Sequence, residues 1–259
     1  MHITQDMAVV VSGGASGLGA AVARGFAKAG ARVGIFDLNK DAGQALAAEI
    51  GGTFVLVDVS DPVSVAGGFE VVREAHGQER VMVNCAGLAP AAKTVSRGVP
   101  HDAMLFNKVI GVNLIGSFNC ASQAAAGMVA ADPVADPVND DGERGVIVST
   151  ASVAAFDGQV GQVAYAASKG GIVGMTLPMA RDLSRDGIRV ATVAPGLFKT
   201  PLMQGLPQEV QDSLGAQTPF PPRLGDPAEF AALVRHIVEN TMLNGEVIRL
   251  DGAIRMSPR

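Results

Sequence analysis

Tryptophan is missing from these 259 residues and tyrosine occurs once, at Tyr165, so aromatic residues make up only 4 % of the chain. Cysteine occurs twice, at Cys85 and Cys120, which leaves no disulfide framework and no metal-ligand spacing; buried free thiols in a reducing compartment are expected. The four histidines, His2, His76, His101 and His236, are scattered, and no pair has ligand spacing. Basic residues are outnumbered 20 to 25 by acidic ones, and the net charge of −5 argues against a nucleic-acid or anionic-membrane surface. No uninterrupted apolar run reaches the ~18 residues that span a bilayer. The opening "MHITQDMAVVVSGG" lacks the basic and long apolar regions of a signal peptide. The expectation is a soluble, cytoplasmic protein with no nucleic-acid or membrane partner.

What is present is material for a buried sheet: 48 % apolar residues and 32 glycines, in a length near the upper size for one core. Short β-rich runs at 8–13, 31–37, 53–58, 81–87, 145–150, 188–195 and 246–252 alternate with Ala-rich helical stretches at 17–29, 40–50, 62–76, 102–130, 160–185 and 226–239. Near-continuous apolar strands separated by helices predict a single α/β domain over 1–259, a doubly wound seven-stranded parallel sheet with helices on both faces. Two segments break the rhythm. "ADPVADPVNDDGERG" (131–145) reads as a solvated surface insertion, and 197–225, which leaves the carboxyl end of the sixth strand, reads as a substrate-binding lid.

"SGGASGLG" lies between the first strand and the first helix. Gly13 would let the chain turn, Gly17 would let backbone N–H groups approach a pyrophosphate, and Gly19 would let the helix pack close; Ser16 and Leu18 belong to the same turn. A structural turn is the alternative, and the strand–turn–helix context favours phosphate. Asp37 ends the second strand 18 residues after Gly19, where a carboxylate accepts ribose hydroxyls and repels a 2′-phosphate, so NAD is favoured over NADP. Asn39 is the better candidate for capping the helix that follows. Asp58 and Val59 in "VDVS", and Cys85 and Gly87 in "NCAG", fit contacts to the cofactor, although each is ambiguous alone.

Tyr165 and Lys169 stand one helical turn apart in "VAYAASKGG", which stacks their side chains on one face. A phenol with pKa near ~10 is a poor base, and a unit charge at ~4 Å with effective dielectric ~20 is worth about 4 kcal/mol, or roughly three pKa units. On that reckoning Lys169 alone brings the phenol into the neutral range. Ser152 follows the fifth strand, and Asn113 interrupts an apolar helical face.

Together, the glycine spacing, "NCAG", Asn113, Ser152 and Tyr165-x-x-x-Lys169 resemble the short-chain dehydrogenase/reductase family along essentially the whole chain. Ser12 stands where that family usually has Thr, and Cys85 replaces the second Asn of its signature. "APGLFKTPL", "PFPPRLGDPAEFA" and "NGEVIRLDGAIRM" look like its type II 3-hydroxyacyl-CoA dehydrogenases, the group that includes the animal 17β-hydroxysteroid dehydrogenase type 10. The resemblance implies a Rossmann fold, a homotetramer, NAD as cofactor and hydride transfer between NAD and an acyl-CoA substrate, in the L-3-hydroxy form. It also implies roles. Tyr165 moves the proton, Lys169 supports it and reaches the ribose, Ser152 holds the substrate oxygen, and Asn113 holds a water leading to Lys169. Gln159 faces the pocket and contacts the thioester region, while Phe198 and Thr200 close over the nicotinamide. A hydroxysteroid or other secondary-alcohol dehydrogenase, and a cofactor-binding scaffold, are the alternatives.

Overall fold

The computed structural model describes residues 1–133 and 141–258. Among them, seven strands form one parallel sheet: β1 (Ala8–Ser12), β2 (Arg32–Asp37), β3 (Thr53–Leu56), β4 (Glu79–Asn84), β5 (Gly145–Thr150), β6 (Ile188–Pro195) and β7 (Val247–Leu250). Their spatial order is 3-2-1-4-5-6-7. The chain therefore builds outward one way from β1 and then the other way from β4, and the crevice between those two strands opens at their carboxyl ends.

Neighbouring strand residues feed two different cores. Val9, Val11, Val81, Val83, Val146 and Val148 pack with Val22 and Phe26 of α1 (Gly17–Lys28), Leu46 of α2 (Lys40–Ile50) and Phe230 of α9 (Pro227–Glu239). Val10, Met82, Ile147 and Val190 pack with Phe69 and Val72 of α3 (Pro62–His76) and with Cys120 and Met128 of α5 (Gly116–Ala130). Because both faces are covered, polar alternation disappears and the strands read as continuous apolar runs. Helix starts follow local chemistry. Asn39 caps α2 by accepting from the Ala42 N–H, Asp61 caps α3 ahead of Pro62, and Asp226 forms a capping box with Glu229 at α9.

The expected helix over 102–130 is divided. It comprises α4 (Ala103–Ile110), a π-helical turn at Gly111–Ile115 and α5. A short hairpin, Val95–Ser96 against Val99–Pro100, precedes it. The long helix α6 (Val163–Asp182) continues through Pro178. Of the 131–145 segment, 134–140 lie outside the described residues, and the end of the segment is not a solvated surface. Glu143 is buried and accepts from Arg189 Nε at 2.7 Å, while the Arg144 N–H donates to the Gly187 carbonyl at 2.7 Å. The 197–225 segment holds α7 (Pro201–Gln204) and α8 (Gln208–Gly215), and its ends are tied together. The Lys199 N–H donates to the Gly225 carbonyl at 2.9 Å, and the Gly225 N–H donates to that of Leu197 at 2.8 Å. No helix of the described residues is long and apolar enough to cross a membrane.

Phe230 is fully buried and meets Phe198, at the neck of that segment, edge to face with centroids 6.4 Å apart. Phe230→Ala is expected to cost about 3–5 kcal/mol of stability in urea unfolding. A loss under ~1 kcal/mol would show that α9 does not seal this face.

Candidate active site

A cleft of about 1080 Å³ lies along the carboxyl ends of the strands. All the sequence-predicted site residues line it except Asn113 and Gln159. One end is the glycine turn. Gly13 has φ of +64°, and a Cβ there would lie 2.6 Å from the Ala86 backbone. A Cβ on Gly19 would lie 2.2 Å from the Gly13 carbonyl oxygen, so turn and helix approach as closely as backbone allows. Ser16, the N-cap of α1, makes no side-chain capping bond, and the first turn holds no acidic residue. The leading N–H groups of α1 thus face the cleft without a competing anion, a cradle that fits a phosphate.

Asp37 is fixed on this rim. Its Oδ2 accepts from the Ala15 N–H at 3.0 Å and its Oδ1 from that of Asn39 at 2.9 Å. One carboxylate thereby ties the glycine turn to the end of β2. Asp58 is held in the same manner by Ser60, whose N–H and hydroxyl both donate to Oδ1, at 2.9 and 2.6 Å. Val59 is buried beside it.

The other end carries Ser152, Tyr165 and Lys169. Ser152 follows β5, and its Oγ accepts from the Ala154 N–H at 3.1 Å, capping a 3-10 turn over Val153–Ala155. Tyr165 and Lys169 share one face of α6, with the ammonium 5.8 Å from the ring centroid. Lys169 Nζ, buried, donates to the Thr150 carbonyl at 2.6 Å and so fastens α6 to the end of β5. A Cβ on Gly87 would lie 3.3 Å from Asn113 Oδ1 and 3.7 Å from Lys169 Nζ, so the backbone after β4 packs closely against both.

Charge proximity does not by itself acidify the phenol, contrary to the sequence-based reckoning. Burial pushes the Tyr165 pKa up, with the Ser152 hydroxyl bonded to it pulling the other way. Burial also pushes the Lys169 ammonium down to about 8, opposed by Cys85. Cys85 and Cys120 are free thiols, raised by burial to about 11 and about 12.

Asn113 sits fully buried in the π turn, and its amide acts as a clamp rather than facing the cleft. Oδ1 accepts from the Leu88 N–H at 2.9 Å, while Nδ2 donates to the Leu88 carbonyl at 2.9 Å and to Ser168 Oγ at 3.0 Å. Ser168 in turn donates to the Tyr165 carbonyl at 2.8 Å. Both amide hydrogens are engaged, so this side chain joins the segment after β4 to α6, while its oxygen keeps a second lone pair for the water expected there. Gln159 also departs from expectation: its Nε2 donates to the Ser257 carbonyl at 3.0 Å, outside the cleft. Gln162 lines the cleft in its place, with Thr150, Met203 and Met256, none of which the sequence had marked.

The profile of the family described as short chain dehydrogenase matches residues 7–211. The chain is 51 % identical over 253 residues to the 3-hydroxyacyl-CoA dehydrogenase type-2 of Drosophila melanogaster, covering 96 % of this chain and 97 % of the relative. It is 51 % identical over 258 residues to the Homo sapiens protein of the same name, covering 98 % and 97 %. A crystal structure of 3-hydroxyacyl-CoA dehydrogenase type-2 from Mycobacterium avium superposes with a TM-score of 0.90 at 42 % identity, over 99 % of this chain and 98 % of that one. Members of such a family generally use NAD or NADP, and the glycine turn described above fits either. From the matched profile, the near-complete coverage and the seven-stranded sheet, this chain belongs to the short-chain dehydrogenase/reductase family and is an oxidoreductase.

Proposed function

We propose that this protein is an NAD-dependent 3-hydroxyacyl-CoA dehydrogenase, interconverting 3-hydroxyacyl-CoA, by resemblance the L-3-hydroxy form, and 3-ketoacyl-CoA. The observation that carries the proposal is the placing of Ser152, Tyr165 and Lys169 around one end of a single large cleft. The names of the relatives at 51 % identity supply the substrate class.

Bound NAD supplies the hydride acceptor for alcohol oxidation and, reduced, the donor for the reverse reaction. The chain's own residues do the rest. Gly13, Ser16, Gly17, Leu18 and Gly19 hold the pyrophosphate with backbone N–H groups. Asp37 accepts from the adenosine ribose, Asp58 and Val59 meet the adenine, and Cys85, Gly87, Phe198 and Thr200 enclose the nicotinamide end. Ser152 holds the substrate oxygen, and Tyr165 takes its proton in oxidation and returns it in reduction. Lys169 spends one hydrogen on Thr150 and keeps two for ribose hydroxyls. Two cysteines left unpaired suit a reducing compartment such as the cytoplasm. By resemblance the protein is a homotetramer, and exposed Ile115, Phe118 and Leu177 on the π turn, α5 and α6 offer apolar surface for association.

Purified protein is expected to consume NADH with acetoacetyl-CoA, and Tyr165→Phe to lower kcat by about 10²–10⁴ while NADH binding, read by fluorescence, persists. A protein that is inactive with acetoacetyl-CoA yet reduces ketosteroids would move the assignment to the hydroxysteroid class; a wild type inactive with both would leave the scaffold reading. Asp37 predicts a second result. NADH should exceed NADPH in kcat/KM by about 10²-fold or more, and Asp37→Ala should narrow that gap at least tenfold. Equal use of both cofactors by the wild type would contradict it.

The titration has a definite sign. A phenol held above its ordinary value is protonated at neutral pH, the form that reduction needs, whereas oxidation needs the proton gone. The oxidation rate is therefore expected to rise from pH 6 to 9 while reduction does not. Lys169→Met should move the rising limb to higher pH by about one unit, because the charge that favours phenolate is lost. An unshifted limb would remove Lys169 from the proton-transfer machinery.

A further inference from the structure

The segment following β7 takes no part in the chemistry above, yet it is tied down along its length. Arg249 of β7 lies with its guanidinium 5.2 Å over the Phe156 ring. Its Nη2 donates to Asp157 Oδ2 at 2.8 Å and to the Ile254 carbonyl at 3.0 Å, and its Nε donates to Asp251 Oδ2 at 2.7 Å. Arg255 joins the same Asp251 oxygen at 3.2 Å. Farther on, Gln159 Nε2 donates to the Ser257 carbonyl at 3.0 Å, and the Val160 N–H donates to the Pro258 carbonyl at 3.1 Å. These bonds lay residues 251–258 across the loop 156–162, which separates Ser152 from Tyr165.

The result is that Met256, half-buried, lines the cleft. The strand order shows at which end. β7 is one edge of the sheet and β3 the other, and Asp37 closes β2 while Asp58 follows β3. Met256 therefore stands away from the glycine turn, on the side of Ser152 and Tyr165. Met203 of α7 also lines the cleft. Methionine is unbranched, with three rotatable bonds, so a wall built from it yields to guests of different length where a ring would not.

We propose that Met256 is a wall of the acyl-chain subsite and sets chain-length preference, with Arg249 and Gln159 as positioning residues that hold the segment carrying it. This rests on the acyl-CoA reading of the same cleft. The test is kcat/KM for acetoacetyl-, 3-ketodecanoyl- and 3-ketohexadecanoyl-CoA with NADH, in wild type and in Met256→Phe, Met256→Ala and Gln159→Ala. Met256→Phe is expected to lower the ratio of long-chain to acetoacetyl activity by about tenfold or more, and Met256→Ala to raise it. Gln159→Ala loosens the segment from outside the cleft, so it should shift the ratio in the direction of Met256→Ala, through KM rather than kcat. A ratio constant across both Met256 variants would overturn the proposal. So would equal KM changes for short and long chains in Gln159→Ala, which would instead mark a contact with the thioester region. A wild type inactive with all three thioesters would overturn the substrate reading itself, and the acyl wall with it; activity with length-independent effects would overturn the wall alone.

Discussion

Parallel pairing is the constraint from which the rest of the structure follows. When all seven strands run the same way, their carboxyl ends gather on one edge, and each strand must be followed there by a turn back toward a helix. Gly13, Asp37, Asp58, Cys85, Ser152 and Phe198 come from six different parts of the chain, and each follows or closes a strand at that edge. The cleft is thus a consequence of topology before it is one of chemistry. The helices then finish it: α1 presents free N–H groups at one end, and α6 presents a phenol and an ammonium at the other.

Electrostatics at the phenol is a contest between burial and charge, and the magnitudes are close. For unit charges ~4–6 Å apart, an effective dielectric of ~20 gives about 3–4 kcal/mol, roughly two to three pKa units. That full benefit requires a fully charged lysine. Burial lowers Lys169 to about 8 and raises Tyr165, so both partners are moved toward their neutral forms. The bond from Nζ to the Thr150 carbonyl is what keeps a buried amine tolerable, since it replaces one lost water contact. A protein without bound ligand consequently rests with its proton on the phenol, and an added positive charge in the cleft would favour release.

What the sequence made legible was local. Apolar runs marked all seven strands to within a few residues, Asn39 marked a helix start, and the four-residue step from Tyr165 to Lys169 placed both on one face. What stayed hidden depended on distant partners. Asn113 was identifiable as an odd polar residue on an apolar face, but its partner Leu88 lies 25 positions away, so the clamp between them has no local mark. The π turn that seats it has no composition of its own. Gln159 sits beside the expected pocket in sequence, but its amide is claimed by Ser257, 98 positions later. The acidic segment at 131–145 looked solvated throughout because Glu143 carries no mark of Arg189, the partner that buries it.

The two ends of the cleft are built on different principles. At the glycine turn, backbone meets backbone at distances that exclude even a methyl group, so one ligand geometry is specified and little variation is possible. At the Ser152 end, the reacting side chains are set on β5 and α6, but the wall around them comes from α7 and the segment after β7, joined by methionines and by side-chain bonds to loops. Rigid elements hold the groups that must not move, and adaptable side chains surround the part of a guest that differs from one molecule to the next. Within a fold shared by many oxidoreductases, changes of substrate would therefore be absorbed first by residues far apart in the chain and last by the glycines, the tyrosine and the lysine.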